Sequence, residues 1–504
     1  MKAAPVFSDN MVLQRGRNVR IFGTLSGSES AVTVRIPELG IRAEAVISGR
    51  KWEAVLPPME ACDCCTVELV SGAVMKIFRN VAVGEIWLCG GQSNMEYELH
   101  NDKNGTAELK DCARENVRFF YTPKCPVIDA EHRRSFAESR WDMPSEDNSR
   151  AWSAVGWYFA KELSRKLGVT VGLIGCNWGG TSASAWVRRG YLMRDERLRP
   201  YIDEYESAIS GKSDEEMLTE YDEYVAYHKE WEKRVGKCYA ERPDIDWNEV
   251  LEICGENRYP GPMGIKNPMR PCGLHDTMID FVRPYTLAGV LWYQGESDDH
   301  HPEVYDVLLS TLIGEWREEW HDIGLPFMIV QLPMFRYETE PDSKKWAAIR
   351  DAQMKVFRTV KNTGLAVALD CGELNNIHPA DKSQIGHRLY LQALSEVYRL
   401  AGRKDTLPPV FSGFTASGNR AVLRFTNCRG FEVRGSLSGF EAAGPDGVFV
   451  PAEAEISGCE IVLTAGISPI TAVRYKWTNY AGVELFGTNG IPVPPFTTAS
   501  AADN

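Results

Sequence analysis

The first 80 residues alternate between apolar and polar positions in short runs. Runs of this kind lie at 18–22, 31–36 and 65–70, and glycine, serine or proline residues separate them. A period of two indicates strands with one buried face, and the frequent turns favour antiparallel pairing. The pattern therefore predicts a small antiparallel β-sandwich over residues 1–80.

From residue 81 the pattern changes to continuous apolar runs that alternate with long helix-like stretches. Such runs predict strands that are buried on both faces. The predicted strands lie at about 84–89, 169–174, 288–293, 326–332 and 364–369. The predicted helices include 150–167, 302–320, 345–360 and 380–401. Together they predict a five-stranded parallel sheet in a three-layer α/β/α arrangement.

Two regions depart from this alternation. Residues 190–270 are highly charged, and their centre at 214–239 has the pattern of a helix. This insertion could form a lid or an assembly surface, and the interpretation we prefer is a solvated excursion. Residues 405–500 return to β periodicity. The predicted divisions are an N-terminal β domain (1–80), an α/β domain (81–402) and a C-terminal β domain (403–504).

Composition and charge narrow the possible function classes. The 504 residues are 44% hydrophobic and 25% charged, which is typical of globular proteins. The formal charge of −13 argues against a nucleic-acid partner, because no basic surplus is present to neutralise phosphates. No stretch reaches the roughly 20 apolar residues of a membrane span, so we expect no membrane partner.

The N-terminus and the cysteines bear on location and cofactors. The first nine residues lack an apolar signal-peptide core, so we expect a cytoplasmic protein unless a leader has been removed. Thirteen cysteines are an odd number, which favours free thiols over a disulfide framework. The cluster of Cys62, Cys64 and Cys65 has no second ligand pair at zinc-finger spacing. We expect no metal and no other cofactor, and the sequence leaves the oligomeric state open.

Candidate chemistry begins at the end of the first α/β strand. The pair Gly90-Gly91 permits a sharp turn before Ser93. A serine on a strand-to-helix turn is how many hydrolases expose a nucleophile. Polar clusters with Gln294 and His378 also follow apolar strands, and such strand ends face one crevice in a parallel sheet. A serine, a histidine base and a neutral donor there predict acyl transfer.

Four ordered segments then indicate a known family: GEIWLCGGQSNMEYEL, NWGGTSASAW, GVLWYQGESD and NIHPADKSQIGHRL. With them the chain resembles the sialate O-acetylesterase family, which belongs to the wider SGNH (GDSL-like) hydrolases. The resemblance covers nearly the whole chain except roughly residues 190–270. It implies an SGNH-type catalytic domain flanked by N- and C-terminal antiparallel β domains.

The resemblance also implies roles for individual residues. Ser93 would be the nucleophile and His378 the base. A tetrahedral intermediate needs two or three donors aimed at one oxygen. The expected donors are the Ser93 N–H, the Gly180 N–H (favoured over Gly179) and the Gln294 carboxamide.

Four more side chains near the motifs are candidates for support or substrate binding. We expect Asn94 and Glu296 to support the oxyanion donors rather than to react. Trp178 and Trp186 could stack on a sugar ring, and a role in the core is equally compatible with their positions.

The chain departs from the family pattern just before the histidine. Many relatives carry an aspartate two or three residues before it, where this chain has Asn376 and Asn375. Either the enzyme uses a Ser–His dyad, or Asp370 or Glu373 supplies the orienting carboxylate. We favour the dyad, with Asp370 as a structural or secondary orienter, and the missing acid leaves weakened activity open.

The sequence thus predicts a metal-independent serine esterase that removes O-acetyl groups from a sugar. The substrate would be an O-acetylated sialic acid, as the family name implies, or a fragment of another acetylated glycan. The alternative is a carbohydrate-binding protein on an inactive esterase scaffold.

Overall fold

The computed structural model describes residues 1–27, 29–242 and 245–499 of the chain. Within these ranges no helix is long and apolar enough to cross a membrane. The fold is a mixed α/β architecture in which an N-terminal group of strands, a central sheet with helices and a C-terminal group of strands follow one another.

The N-terminal strands pair mostly antiparallel, as their period of two predicts. They are β1 (Lys2–Ala3), β2 (Val12–Gln14), β3 (Val19–Thr24), β4 (Thr33–Ile36), β5 (Ile41–Glu44), β6 (Val46–Ser48), β7 (Lys51–Leu56) and β8 (Cys62–Ser71). Strands β1, β3, β7 and β6 form one sheet in that order. Strand β4 pairs with β5 on one side and with β8 on the other.

One long strand, β9 (Val74–Gly91), connects this region to the centre of the molecule. Its first half pairs antiparallel with β8, and its second half lies between parallel strands. The buried side chains of the N-terminal strands and of the central sheet form one continuous cluster. The predicted boundary between residues 80 and 81 therefore falls inside a single strand.

The central sheet continues from β9 through strands that follow it in the chain. They are β10 (Val117–Tyr121), β11 (Trp141–Asp142), β12 (Val171–Asn177), β13 (Gly289–Tyr293), β14 (Phe327–Gln331) and β15 (Thr363–Val367). Their order is β11-β10-β12-β9-β13-β14-β15, and all adjacent pairs except β11–β10 are parallel. The five predicted strands correspond to β9, β12, β13, β14 and β15.

The predicted count of five parallel strands is too low, because β10 is a sixth. Arg118 interrupts its apolar run, and a charged residue there does not suggest a buried strand. In the fold Arg118 is buried, and its guanidinium donates to the carbonyl oxygens of Asn10 at 3.0 Å and Asp63 at 3.2 Å. These bonds allow a charged side chain inside the sheet, since buried polar groups are tolerated when they are paired.

Helices connect and flank the strands. They are α1 (Ser93–Glu96), α2 (Gly105–Asp111), α3 (Ala130–Glu138), α4 (Glu146–Ser149), α5 (Ala154–Leu167), α6 (Arg189–Leu192), α7 (Arg199–Ile209), α8 (Asp214–Glu241), α9 (Trp247–Cys254), α10 (Asp280–Val282), α11 (Tyr305–Glu319), α12 (Lys345–Thr359), α13 (Ser383–Glu396) and α14 (Arg403–Thr406). α5 packs against α13, and α11 packs against α12.

The insertion between α6 and α10 is mainly helical, and α8 is its longest element. A capping box formed by Ser213 and Glu216 begins α8. Trp231 of this helix, together with Ile245, Val250 and Cys254, forms a small hydrophobic cluster separate from the main core. The insertion therefore has a core of its own.

The C-terminal strands form a further antiparallel group. They are β16 (Val410–Ser417), β17 (Arg420–Thr426), β18 (Phe431–Val433), β19 (Phe440–Ala443), β20 (Phe449–Ser457), β21 (Glu460–Ala465), β22 (Ala472–Tyr475), β23 (Leu485–Gly487) and β24 (Phe496–Thr497). Seven of them make one sheet, β18 pairs with β23, and the group buries its own apolar cluster.

Candidate active site

Ser93 lies at the first position of α1, directly beyond the carboxyl end of the central strand β9. The turn requires glycine at position 91, where φ is +129° and an added Cβ would lie 2.1 Å from the carbonyl oxygen of Tyr293. Strands β10, β11 and β12 lie on one side of β9, and the later strands β13, β14 and β15 lie on the other. Ser93 therefore stands at the point where the strand order reverses. This is the crevice in which open α/β sheets bind ligands.

His378 reaches Ser93 from the loop that follows β15. Its Nε2 lies 2.8 Å from Ser93 Oγ, a hydrogen-bond distance for a nucleophile and its base. The backbone N–H of His378 donates to Asn376 Oδ1 at 3.0 Å, which holds the loop locally. Both side chains are half-buried. The structure thus brings together the two residues that the sequence selects as nucleophile and base.

The charge state of His378 is biased toward the neutral base. Burial and the nearby positive charge of Lys382 lower the pKa of His378 from its ordinary value of 6.5, and Glu96 acts in the opposite direction. A neutral imidazole can accept the proton of Ser93 Oγ, whereas an imidazolium cannot.

A buried network of hydrogen bonds around Asn94 holds the segments that carry Ser93 and His378. Asn94 Nδ2 donates to Glu296 Oε1 at 2.7 Å and to the carbonyl oxygen of Ile377 at 3.0 Å. Asn94 Oδ1 accepts from Lys382 Nζ at 2.6 Å. Burial lowers the pKa of Lys382 to about 8, opposed by the charge of Glu296. Asn94 therefore ties the turn that carries Ser93 to the residue before the histidine.

Two backbone N–H groups are available at Ser93. In the described part of the chain, neither the Ser93 N–H nor the Gly180 N–H donates a hydrogen bond. Gly179 is different, because its N–H already donates to Glu96 Oε2 at 2.7 Å. This difference favours Gly180 over Gly179 as an oxyanion donor, as the sequence predicts.

The structure argues against Gln294 as an oxyanion donor. Its side chain is 0% exposed, and Nε2 donates to Asp298 Oδ2 at 2.6 Å. The same nitrogen lies 3.2 Å from Gln92 Oε1 and from the carbonyl oxygen of Thr181. Because an amide nitrogen has only two protons, no donor remains for substrate, and Gln294 instead braces the strand ends around Ser93.

Neither predicted acid orients the imidazole. Asp370 makes a bidentate ion pair with Arg388, at 2.5 and 2.8 Å. Glu373 accepts from Asn376 Nδ2 at 2.8 Å and from the Ala380 N–H at 3.1 Å. Among the described residues no carboxylate is hydrogen-bonded to His378 Nδ1. Of the two roles expected for Asp370, structural or secondary orienter, its contacts fit the structural one, because it pairs with Arg388 of helix α13.

The two tryptophans separate into different environments. Trp186 is 0% exposed, and its Nε1 donates to Thr181 Oγ1 at 3.1 Å, so it belongs to the core and cannot stack on a sugar. Trp178 is half-buried and lies between the strand end of β12 and an open cavity. Only Trp178 remains a candidate for substrate contact.

Sequence analysis missed Glu96 and Lys382, the two charged residues that act on His378. Glu96 lies three residues after Ser93 and pairs with Lys124 as well as with Gly179. Lys382 lies four residues after His378 and is buried over the ring of Tyr97. The spacing was a usable signal for Glu96, because positions three apart on one helical turn lie side by side.

Within the described ranges, the groups of side chains that could ligate a metal lie elsewhere. One example is His275 with Glu315 and Glu319, where the Arg188 guanidinium pairs with Glu319 at 2.7 Å and the Arg188 backbone N–H donates to Glu315 at 3.0 Å. None of these groups includes Ser93 or His378.

Comparison with known proteins places these residues in a family context. The model of carbohydrate esterases described as sialic acid-specific acetylesterases matches residues 83–218 and 273–395, more than half of the chain. The match contains Ser93, Gly180 and His378 and omits the segment between residues 218 and 273.

Individual relatives agree with this family. The sialate O-acetylesterase of Mus musculus is 25% identical, over 88% of this chain and 83% of the mouse protein. The sialate O-acetylesterase of Homo sapiens is 24% identical, over 98% and 91%. The crystal structure of a carbohydrate acetylesterase from Xanthomonas citri superposes with a TM-score of 0.78 at 26% identity, covering 99% of both chains. These relatives give no support to an inactive scaffold that only binds carbohydrate.

Proposed function

Because this chain belongs to the sialic acid-specific acetylesterase family of carbohydrate esterases, we propose that it removes O-acetyl groups from a sugar through Ser93 and His378. It is a carboxylic ester hydrolase of this family, and the proposal concerns the mechanism and the residues. The observation that carries it is the 2.8 Å separation between Ser93 Oγ and His378 Nε2 at the carboxyl end of β9.

In the first half of the reaction Ser93 Oγ attacks the acetyl carbonyl carbon, and His378 Nε2 takes the hydroxyl proton. The intermediate collapses when the C–O bond to the sugar breaks, and His378 returns the proton to the leaving sugar oxygen. Water then attacks the acetyl-enzyme with His378 again as base. Acetate leaves and Ser93 regains its proton.

Negative charge on the carbonyl oxygen needs fixed donors. The N–H groups of Ser93 and Gly180 are the candidates, because neither is spent on another acceptor in the described chain. Donors aimed at developing charge act mainly in the transition state. A two-donor oxyanion hole, with Gln294 holding the strand ends in place, replaces the three-donor version that the sequence predicts.

The base works as part of a dyad. No carboxylate meets His378 Nδ1 in the described residues, and the lowered pKa of His378 keeps it neutral and able to accept a proton near pH 7. The parallel sheet and the positions of Ser93, Gly180 and His378 support an SGNH-type catalytic unit at residues 81–402. The N-terminal strands share β9 and a continuous core with this unit, whereas the C-terminal β group at 403–504 has its own core.

Hydrolysis of p-nitrophenyl acetate tests the proposal. The wild-type protein should release p-nitrophenol, and Ser93→Ala should not. A serine-directed phosphonate should label Ser93 alone, as seen by peptide mass spectrometry. Near-normal turnover by folded Ser93→Ala protein would contradict the proposed mechanism.

A further inference from the structure

A cavity adjoins Ser93 on the side of the helical insertion. It encloses 270 Å³ and is lined by Trp178 and Gly179 from the β12 end and by Tyr224 and Tyr259 from the insertion. Gly179 lines the cavity and also lies next to Ser93, because a Cβ built on it would lie 3.3 Å from Ser93 Cβ. An ester at Ser93 therefore has this cavity directly beside it.

Tyr259 of the insertion packs against Gly180, one of the two candidate oxyanion donors. Its Oη lies 2.0 Å from the position that a Cβ at Gly180 would occupy, so only glycine permits this approach. Its side chain is nevertheless 51% exposed. The tyrosine thus contacts the catalytic edge of the sheet and still presents a free surface to the cavity.

The wall of the cavity formed by α8 is aromatic. The rings of Tyr224 and His228 are stacked at 5.3 Å with an interplanar angle of 23°, and His228 stacks on Trp231 at 5.6 Å and 14°. Tyr221 lies 5.5 Å from Tyr224. Ring stacks fix each other's orientation, and a rigid aromatic surface binds flat apolar faces at low entropic cost.

The charges around the cavity nearly cancel. The described lining residues include one lysine, Lys229, and one acid, Glu232, and both are exposed. Glu232 also lies 3.3 Å from His228 Nε2. None of the described residues that line the cavity is an arginine, so a ligand carboxylate would lack the bidentate partner that such groups favour.

We propose that this cavity is a subsite for a neutral sugar residue of an acetylated glycan, adjacent to the unit whose ester lies at Ser93. The C–H face of a pyranose is flat and apolar, and its hydroxyls need no charged partner. The volume lies just below the roughly 300–1,000 Å³ of sites for drug-sized ligands, which suits one sugar unit. The inference rests on the proposed esterase function and specifies its substrate class.

Trp178 and Gly179 of the subsite lie inside the family match, whereas the rest of its aromatic lining comes from residues outside it. Tyr221, Tyr224, His228 and Tyr259 all lie between residues 218 and 273, which the family model leaves out. The neutral-sugar preference therefore belongs to this chain's insertion rather than to the shared catalytic edge.

Paired substrates and variants test the subsite. The substrates are acetylated xylo-oligosaccharide (neutral), 9-O-acetyl-N-acetylneuraminic acid (anionic) and p-nitrophenyl acetate (without sugar). Tyr224→Ala removes the aromatic face, and Tyr224→Phe retains it. Val225→Trp fills the cavity from a lining position that is 45% exposed, so it avoids the core. Tyr239→Ala, 38% exposed on the same helix, is the matched control.

Wild type should prefer the neutral oligosaccharide to the sialic acid ester in kcat/KM. Tyr224→Ala and Val225→Trp should lose about fivefold or more on the oligosaccharide relative to their change on p-nitrophenyl acetate, through KM. Tyr224→Phe and Tyr239→Ala should leave that ratio near the wild-type value. Equal losses on both substrates, or preference for the sialic acid ester, would overturn the subsite.

Calorimetry separates this inference from the esterase proposal. Ser93→Ala protein should bind the acetylated oligosaccharide, and the added Tyr224→Ala or Val225→Trp change should weaken that binding about fivefold or more. If no ester is hydrolysed but this binding pattern holds, the esterase proposal fails and the subsite stands. If wild type hydrolyses p-nitrophenyl acetate through Ser93 but the oligosaccharide does not bind, only the subsite fails.

Discussion

The carboxyl edge of the central sheet and the helical insertion beside it are built by different means. At the sheet edge, short hydrogen bonds fix each side chain, as in the Asn94 network and the bonds around Gln294. In the insertion, stacked rings and a small separate core provide the order. The family model matches the first region, whereas the stacked rings and the separate core of the second lie between residues 218 and 273, which it leaves out.

This difference separates rate from selectivity. Directional hydrogen bonds hold reacting atoms at fixed distances, which the chemical step requires. An aromatic wall tolerates variation in its ligand and can differ between relatives without disturbing Ser93. Changes at the sheet edge should therefore alter kcat on every ester, whereas changes in the insertion should alter which ester is preferred.

The largest effect is expected from the Ser93–His378 pair. Ser93→Ala and His378→Ala should each lower kcat on p-nitrophenyl acetate by roughly 10³-fold or more, and the double variant should lose little further. Circular dichroism should show an intact fold. His387→Ala is the control, because that histidine is partly exposed and pairs with Glu162. Additive losses would mean that the two residues do not act as one unit.

A second prediction distinguishes bracing from catalysis at Gln294. Gln294→Ala leaves buried Asp298 Oδ2 without its 2.6 Å donor and Tyr305 Oη without a side-chain acceptor. Urea unfolding should show a loss of roughly 1–3 kcal/mol or more in the free energy of unfolding. The folded enzyme should keep kcat within about tenfold, whereas loss of an oxyanion donor costs roughly 10²–10³.

Exposed Gln384 on α13 provides the control for that variant. Gln384→Ala should change neither stability nor rate measurably. A fall of several hundredfold in kcat for Gln294→Ala, with stability intact, would return Gln294 to the oxyanion hole.

The third prediction concerns the missing acid. Asp370→Asn should lower kcat by less than about tenfold, because this carboxylate binds Arg388 and not His378. The melting temperature should fall, since Arg388 is buried and loses its charged partner. A several-hundredfold loss of rate in a folded variant would refute the dyad and place Asp370 in a triad.

The residues proposed for the site could be selected from the sequence because they follow strands. Ser93, Gly180 and His378 each come just after an apolar run, and the parallel sheet brings such ends together. The role of Gln294 could not be predicted in the same way. A motif gives the residue type at a position, but two of the three acceptors that occupy its amide, Gln92 and Thr181, are distant in the chain.

The fold was predictable to a similar extent and for similar reasons. The strands that align with β9, β12, β13, β14 and β15 are continuous apolar runs, whereas β10 contains Arg118 and was missed. The insertion was predicted to contain a helix, and α8 confirms it. Its position against Ser93 depends on packing between distant segments, for which local periodicity carries no signal.

The smallest expected effect is a shift in pH dependence. It tests how charges at the edge of the sheet determine the pKa of His378. Activity requires neutral His378, so kcat/KM should rise with pH through the pKa of the free enzyme and then level off. Burial and Lys382 lower that pKa from the ordinary 6.5. The midpoint of the rising limb should therefore lie below pH 6.5.

Two variants should move this limb in opposite directions. Lys382→Met removes a positive charge that disfavours the imidazolium, so the pKa of His378 rises and the limb moves to higher pH. Glu96→Gln removes a negative charge that favours the imidazolium, so the pKa falls and the limb moves to lower pH. Lys103→Met, at an exposed position, controls for loss of a lysine. If the rising limbs of both variants coincide with that of the wild type, another group sets the pKa of His378. Opposite shifts would show that charges at the edge of the sheet, and not the insertion, set this pKa.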